Sequence, residues 1–169
     1  VGFFSKLFGK KEEKATVNKR DLLSIQVGDI VEYDLADYEV VGKITYQDGN
    51  YKWYSYQLLG ESKSIWLAAE MDDELELGIY EKIQLPVAND FPKEVVFNNK
   101  TYALDESGHA QVTGEGRSDS LTGQQIHYAE YCDDEEESFI SVEDWDSDVE
   151  ASIGYSIEPY EVKIIAGSI

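Results

Sequence analysis

From residue 30 onward, apolar and polar residues alternate with a period close to two, and most alternating runs stop at Gly, Asn, Asp or Pro. That period places successive side chains on opposite faces of an extended chain. The stretches 30–34, 38–46 and 51–59, rich in Val, Ile, Tyr and Trp, are therefore predicted strands. Between the last two, Gln47-Asp48-Gly49-Asn50 carries the Asp-Gly signal of a tight hairpin. A short helical turn around Lys19 to Ser24 and a Val27-Gly28-Asp29 turn precede the first strand. The pattern continues through 64–69, 74–83, 94–97, an Asn98-Asn99 turn, 101–104, 109–113, 124–132, 138–142, 148–157 and 160–166. No segment after residue 25 holds a helical period for three turns. A mainly β fold of antiparallel meanders is expected, with a short N-terminal helix.

The pattern also repeats. Residues Ile65-Trp66-Leu67-Ala68-Ala69-Glu70 align with Ser138-Phe139-Ile140-Ser141-Val142-Glu143. After a one-residue insertion, Asp72, Glu74, Leu75, Glu76, Leu77 and Ile79 align with Asp146, Asp148, Val149, Glu150, Ala151 and Ile153. Upstream, with no further gap, Trp53-Tyr54 fall opposite Ile126-His127, and 38–42 has a looser echo in 102–108. The reading is an internal duplication: two similar β-meander units, each marginal in stability alone, packed into one sandwich or barrel-like body. Its boundaries are a basic head and linker at 1–20, a first unit at 21–86, a linker at 87–92 bracketed by Pro86 and Pro92, and a second unit at 93–169.

The segment 23–31 (Leu-Ser-Ile-Gln-Val-Gly-Asp-Ile-Val), then Tyr38-Glu39-Val40-Val41-Gly42, Trp53-Tyr54-Ser55-Tyr56-Gln57-Leu58 and Trp66-Leu67 with Glu70, resembles a bacterial family known as domain of unknown function 4178. The resemblance covers most of the chain from Leu22 onward and implies a fold, with no activity attached. It also implies a membrane-side accessory role, because such proteins are often encoded beside small membrane proteins and phage-shock or polyamine-synthesis genes.

Charge narrows the picture. Fourteen Lys and Arg stand against 35 Asp and Glu in 169 residues, a formal net charge of -21, which argues against binding nucleic acid through the bulk surface. Six of those cations (Lys6, Lys10, Lys11, Lys14, Lys19, Arg20) lie in residues 1–20 with only Glu12 and Glu13, so that stretch carries +4 and the remainder -25. Phe3, Phe4, Leu7 and Phe8 fall on one side of a two-turn helix there, and Gly9 ends it. With Lys6, Lys10 and Lys11 they form an amphipathic head for weak docking to a membrane surface or a protein groove. A frayed terminus is the plainer alternative. No apolar run nears the roughly 20 residues of a membrane span, and one cysteine, Cys132, permits no internal disulfide. The expected location is the cytoplasm, at the inner face of the membrane if the head docks.

Candidate chemistry is thin. Asp144, Asp146, Asp148 and Glu150 have the alternate spacing of a calcium loop, but Val149 and Tyr155 occupy the places of its glycine and its bidentate glutamate. Read as a strand, they form a solvated acidic face opposite Trp145, Val149 and Ala151, as Glu70, Asp72, Glu74 and Glu76 do opposite Met71, Leu75 and Leu77. The acidic run 133–137 reads as an exposed turn or a handle for a basic partner. His109 and His127 lie on separate predicted strands, and Cys132 points to the opposite face from His127 if that strand is regular, so no Cys-His pair is expected. Gly114 and Gly116 read as loop residues. Trp53, Tyr54, Tyr56 and Trp66 form either an aromatic pocket or the core of a sheet. No enzyme and no cofactor are expected. The leading reading is an acidic β-rich binding or adaptor module with protein partners, cationic or membrane-bound. The alternative is a small-ligand, polyamine or divalent-cation binder with its site between the two units.

Overall fold

The computed structural model describes residues 22–146 and 148–166. They form eleven strands: β1 (Ile30–Tyr33), β2 (Ala36–Asp48), β3 (Tyr51–Leu59), β4 (Ser64–Met71), β5 (Leu75–Ile83), β6 (Glu94–Phe97), β7 (Lys100–Gly116), β8 (Gln125–Cys132), β9 (Phe139–Asp144), β10 (Val149–Ile157) and β11 (Val162–Ala166). Two 3-10 turns, Asp119–Leu121 and Pro159–Glu161, join them. The expected N-terminal helical head lies outside the described residues.

Strands β1 to β5 run as one antiparallel meander and β6 to β10 as another. Two seams join them: β5 pairs with β10 from Ile83↔Ala151 to Leu77↔Ile157, and β2 pairs with β7 from Gly42↔Gly116 to Gln47↔Gln111. These pairings close β2-β3-β4-β5-β10-β9-β8-β7 into an eight-stranded antiparallel barrel. Of the two expected bodies, sandwich or barrel, the chain adopts the barrel. Both first seam strands divide their pairing in the same manner. Residues 36–39 of β2 pair with β1 and 42–47 with β7, with a register shift between Val40 and Gly42. Residues 100–103 of β7 pair with β6 and 111–116 with β2, with a shift between Leu104 and Glu106. Such irregularities bend a strand and re-aim its side chains. They let β1 and β6 leave the barrel wall.

Register also corrects one alignment. Trp53 pairs with Glu70 and Tyr128 with Glu143, so an alignment that sets Glu70 opposite Glu143 places Trp53 opposite Tyr128 by register, not opposite Ile126. The difference lies in the connections: four residues (60–63) join β3 to β4 and six (133–138) join β8 to β9. The predicted breaks at 105–108 and 114–116 are absent, because both stretches belong to the long β7, glycines included.

Much of the apolar surface of the strands lies outside the bore. Tyr56, Leu58, Leu67, Ala69, Leu75, Leu77 and Ile79 pack beneath Leu22, Ile25, Val31, Tyr33 and Val162. On the second meander, Tyr102, Ala129, Tyr131, Ile140, Val142 and Ala151 pack beneath Val95 and the crossing residues Val87 and Phe91. Burying a large apolar side chain contributes about 1.5 to 3 kcal/mol, so these two outer cores hold the wall in shape. The acidic faces therefore turn inward.

Candidate functional site

That inversion changes the two acidic rows. Neither row is one strand face. The chain reverses between β4 and β5 and between β9 and β10, so Glu70 stands directly across from Glu76, and Glu143 from Glu150. The expected solvated face is corrected most strongly at Glu70 and Glu76, which are only 1% and 3% exposed. Asp72, Asp146 and Asp148 are exposed in the turns, and Glu74 is half-buried. Glu130, which the sequence did not single out, joins the interior at 4% exposure and accepts a 3.1 Å hydrogen bond from Ser141 Oγ.

Strand parity explains the bore. Ile44, Ser55, Ala68 and Gly78 stand in register across β2 to β5, and Glu130, Ser141, Ser152 and Lys82 across β8, β9, β10 and β5. Most of these side chains are small, and an eight-stranded barrel has room for either packed side chains or one small ligand. Elsewhere the bore is filled by Tyr46, Trp53, Ala110, Val112, Ile126 and Tyr128. Tyr46 stacks on Trp53 at 5.4 Å, and Tyr128 meets Trp53 edge-on at 5.5 Å. Around the small residues a cavity of about 440 Å³ remains, within the roughly 300–1,000 Å³ of small-molecule sites.

Its wall is both aromatic and charged. Trp66, Tyr80, Trp145 and Tyr46 supply rings; Glu143, Asp148 and Glu150 supply carboxylates; Lys82 and Arg117 supply cations. Residues 117–124 border it, running back beside β7 through Val112 N–H to Gln124 O (2.9 Å) and Gly123 N–H to Val112 O (2.9 Å). Gly114 makes this possible: a Cβ there would lie 1.7 Å from the Ser118 carbonyl oxygen. Trp145 Nε1–H is buried with no acceptor among the described residues.

Burial raises the Glu143 carboxyl to about 7, opposed by the Tyr46 hydroxyl that donates to it, with Glu150 raising and Lys82 lowering it further. Burial lifts Glu130 well above the carboxylate range, partly offset by Ser141 and reinforced by Glu143, Glu106 and Glu70. Lys82 Nζ lies 3.0 Å from Glu150 Oε2 and 5.7 Å from the centre of the Trp66 ring. The interior is thus rich in carboxyl groups and aromatic rings, with Glu130 and Glu143 held toward their neutral forms and Glu150 paired with Lys82.

The remaining predicted residues are placed as follows. Of the aromatic set, Trp66 lines the cavity, Trp53 packs beneath it, and Tyr54 and Tyr56 belong to the outer core. Asp144 Oδ1 accepts from Asp146 N–H at 2.9 Å, and among the described residues no three His, Cys, Asp or Glu side chains converge as a metal site. His109 and His127 are cross-strand partners whose rings stack at 4.3 Å, with Phe91 4.4 Å from His127. Burial and the His109 charge lower the His127 imidazole. Asp133 departs from the exposed acidic turn expected of 133–137. It is buried and accepts from Glu137 N–H (2.9 Å), Ser138 N–H (3.2 Å) and Lys100 Nζ (3.0 Å). Its burial alone would raise its carboxyl, but these donors hold it below the usual range. Phe3, Phe4, Lys6, Leu7, Phe8, Lys10 and Lys11 lie outside the described residues. No helix among the described residues is long and apolar enough to cross a membrane.

Fold and site together define a small closed β-barrel with an internal acidic and aromatic cavity. The chain belongs to the family described as Domain of unknown function (DUF4178), whose model matches residues 26–159. It is 28% identical over 144 residues to the uncharacterized proteins Rv2597 of Mycobacterium tuberculosis and Mb2628 of Mycobacterium bovis, covering 81% of this chain and 69% of each relative. No solved structure matches it.

Proposed function

We propose that this protein is a non-enzymatic ligand-binding barrel whose site is the cavity between the two meanders and whose ligand is a small organic cation. The observation that carries this is the composition of the lining around about 440 Å³: Trp66, Tyr80 and Trp145 supply aromatic rings and Glu143, Asp148 and Glu150 acidic groups, beside Lys82 and Arg117. Carboxylates and aromatic faces both favour cations, more so where water is scarce. The chain's net charge of -21 raises the local concentration of cations of any kind, so selectivity falls to the cavity. Calcium or magnesium fits less well, since these ions need about six or more converging oxygens.

The same reading takes the meanders as one unit written twice, which makes the site an interface between copies. Its support is positional: Glu70–Glu76 and Glu143–Glu150 occupy corresponding pairs, Tyr56 and Tyr131 corresponding buried positions, and positive-φ residues Asp34-Leu35 and Asn98-Asn99 corresponding turns. Calorimetric titration with 1,4-diaminobutane and with calcium tests the function. A saturable heat with the diamine is expected; salt-dependent background alone with both would overturn it.

A further inference from the structure

Resting on that reading, we propose that the ligand carries a primary ammonium on an aliphatic chain, and that Lys82 seats its own ammonium in the place the ligand's ammonium takes. A lysine side chain is chemically an n-butylammonium. Lys82 extends from β5, beside Ser152, and reaches two groups that together select such an ion. Glu150 Oε2, 3.0 Å away, accepts a charge-assisted hydrogen bond, and the Trp66 ring, 5.7 Å away, offers a cation–π face. Both groups line the cavity, as Lys82 does.

The contact is exchangeable. The Lys82 side chain is 54% exposed and that of Glu150 is 35% exposed, so the pair is screened and its lysine can swing into water at little cost. Glu143 stands directly across the strands from Glu150, and Asp148 lies nearby on the same wall. Three carboxyl groups, one of them the raised Glu143, thus share the cavity lining with two cations, Lys82 and Arg117. An incoming ammonium that replaces Lys82 at Glu150 keeps both the hydrogen bond and the aromatic contact, while the displaced lysine remains solvated. Lys82 is then a specificity-determining residue: it sets how tightly a ligand must hold to enter.

The test uses the full chain, titrated calorimetrically with n-butylammonium chloride, tetramethylammonium chloride and sodium butyrate, for wild type, Lys82→Met and Lys82→Arg. Lys82→Met keeps the apolar stem and removes the charge. It should bind n-butylammonium about three- to tenfold more tightly than wild type. Tetramethylammonium, with no N–H for Glu150, should gain less, and Lys82→Arg should show no gain. Melting curves of the variants confirm that the barrel is intact. Equal n-butylammonium affinity in wild type and Lys82→Met would overturn the role of Lys82 and leave the cavity reading standing. Binding of butyrate that is lost in Lys82→Met would overturn it by making Lys82 an anion contact. No saturable heat from n-butylammonium in any variant would remove the cavity reading as well.

Discussion

Single residues carry costs that the fold as a whole sustains. Leu35 sits at φ 61, 98% exposed, at the tip of the β1–β2 hairpin, a conformation that Asn99 adopts in the β6–β7 hairpin. A leucine in the left-handed region costs about 1 kcal/mol or more that glycine avoids. Leu35→Gly should therefore raise the thermal midpoint by about 2 to 4 °C, measured by calorimetric melting; a lower midpoint would contradict the turn geometry. Glu143 carries a second cost. It faces Tyr46 from β2, Lys82 from β5, Glu130 from β8 and Glu150 from β10, and its folded carboxyl at about 7 exceeds its ordinary value. The folded state thus holds a proton that the unfolded state releases. The resulting stabilisation is complete below the ordinary carboxylate range and is lost as pH rises through about 7. The midpoint should fall between pH of about 5.5 and 8, and Glu143→Gln should gain about 1 to 2 kcal/mol at the upper end while flattening the slope. A Gln variant destabilised equally at both pH values would contradict this.

At the level of elements, strand existence was legible and strand facing was not. Alternation with a period of two survives any packing, so 51–59 is recovered at the same bounds as β3 and 94–97 as β6. Alternation alone says nothing about which face meets the interior, and here β1, β6 and β11 cover the outside, so Leu67 and Leu77 point out and Glu70 and Glu76 point in. The reversals after Met71 and after Asp144 were hidden because the acidic residues there continue the alternation of the flanking strands. The cavity was hidden for another reason: Ser55 stands across from Ala68, and Ser141 from Ser152, only once registers are known. Its border is equally non-local, because residues 117–124 lie against Gly114 across a gap no side chain can share. Gly114→Ala should displace that segment and destabilise the chain by at least about 2 kcal/mol. Gly123→Ala, where φ is 89 but nothing lies within 4 Å, should cost only about 1 kcal/mol. Chemical denaturation of both variants checks the order; equal costs would contradict the close approach.

The whole molecule combines a closed wall with a large charge imbalance. Closure leaves the eight barrel strands without free edges, and the net charge of -21 acts against compaction through self-repulsion. Raising salt from about 0.01 M to about 1 M shortens the screening length from about 30 Å to about 3 Å, so the thermal midpoint should climb steadily over that range; a flat or falling profile would contradict repulsion as a significant term. What the barrel encloses is tested most directly by its own tryptophans. The chain has three, of which Trp66 and Trp145 line the cavity and Trp53 is packed between Tyr46 and Tyr128. Titrating the labelled protein with n-butylammonium while following the three indole N–H resonances should move those of Trp66 and Trp145 along one saturable curve and leave Trp53 nearly still. Equal drift of all three, reproduced by sodium chloride at the same ionic strength, would show that the cation meets only the acidic surface and that the interior is no binding site.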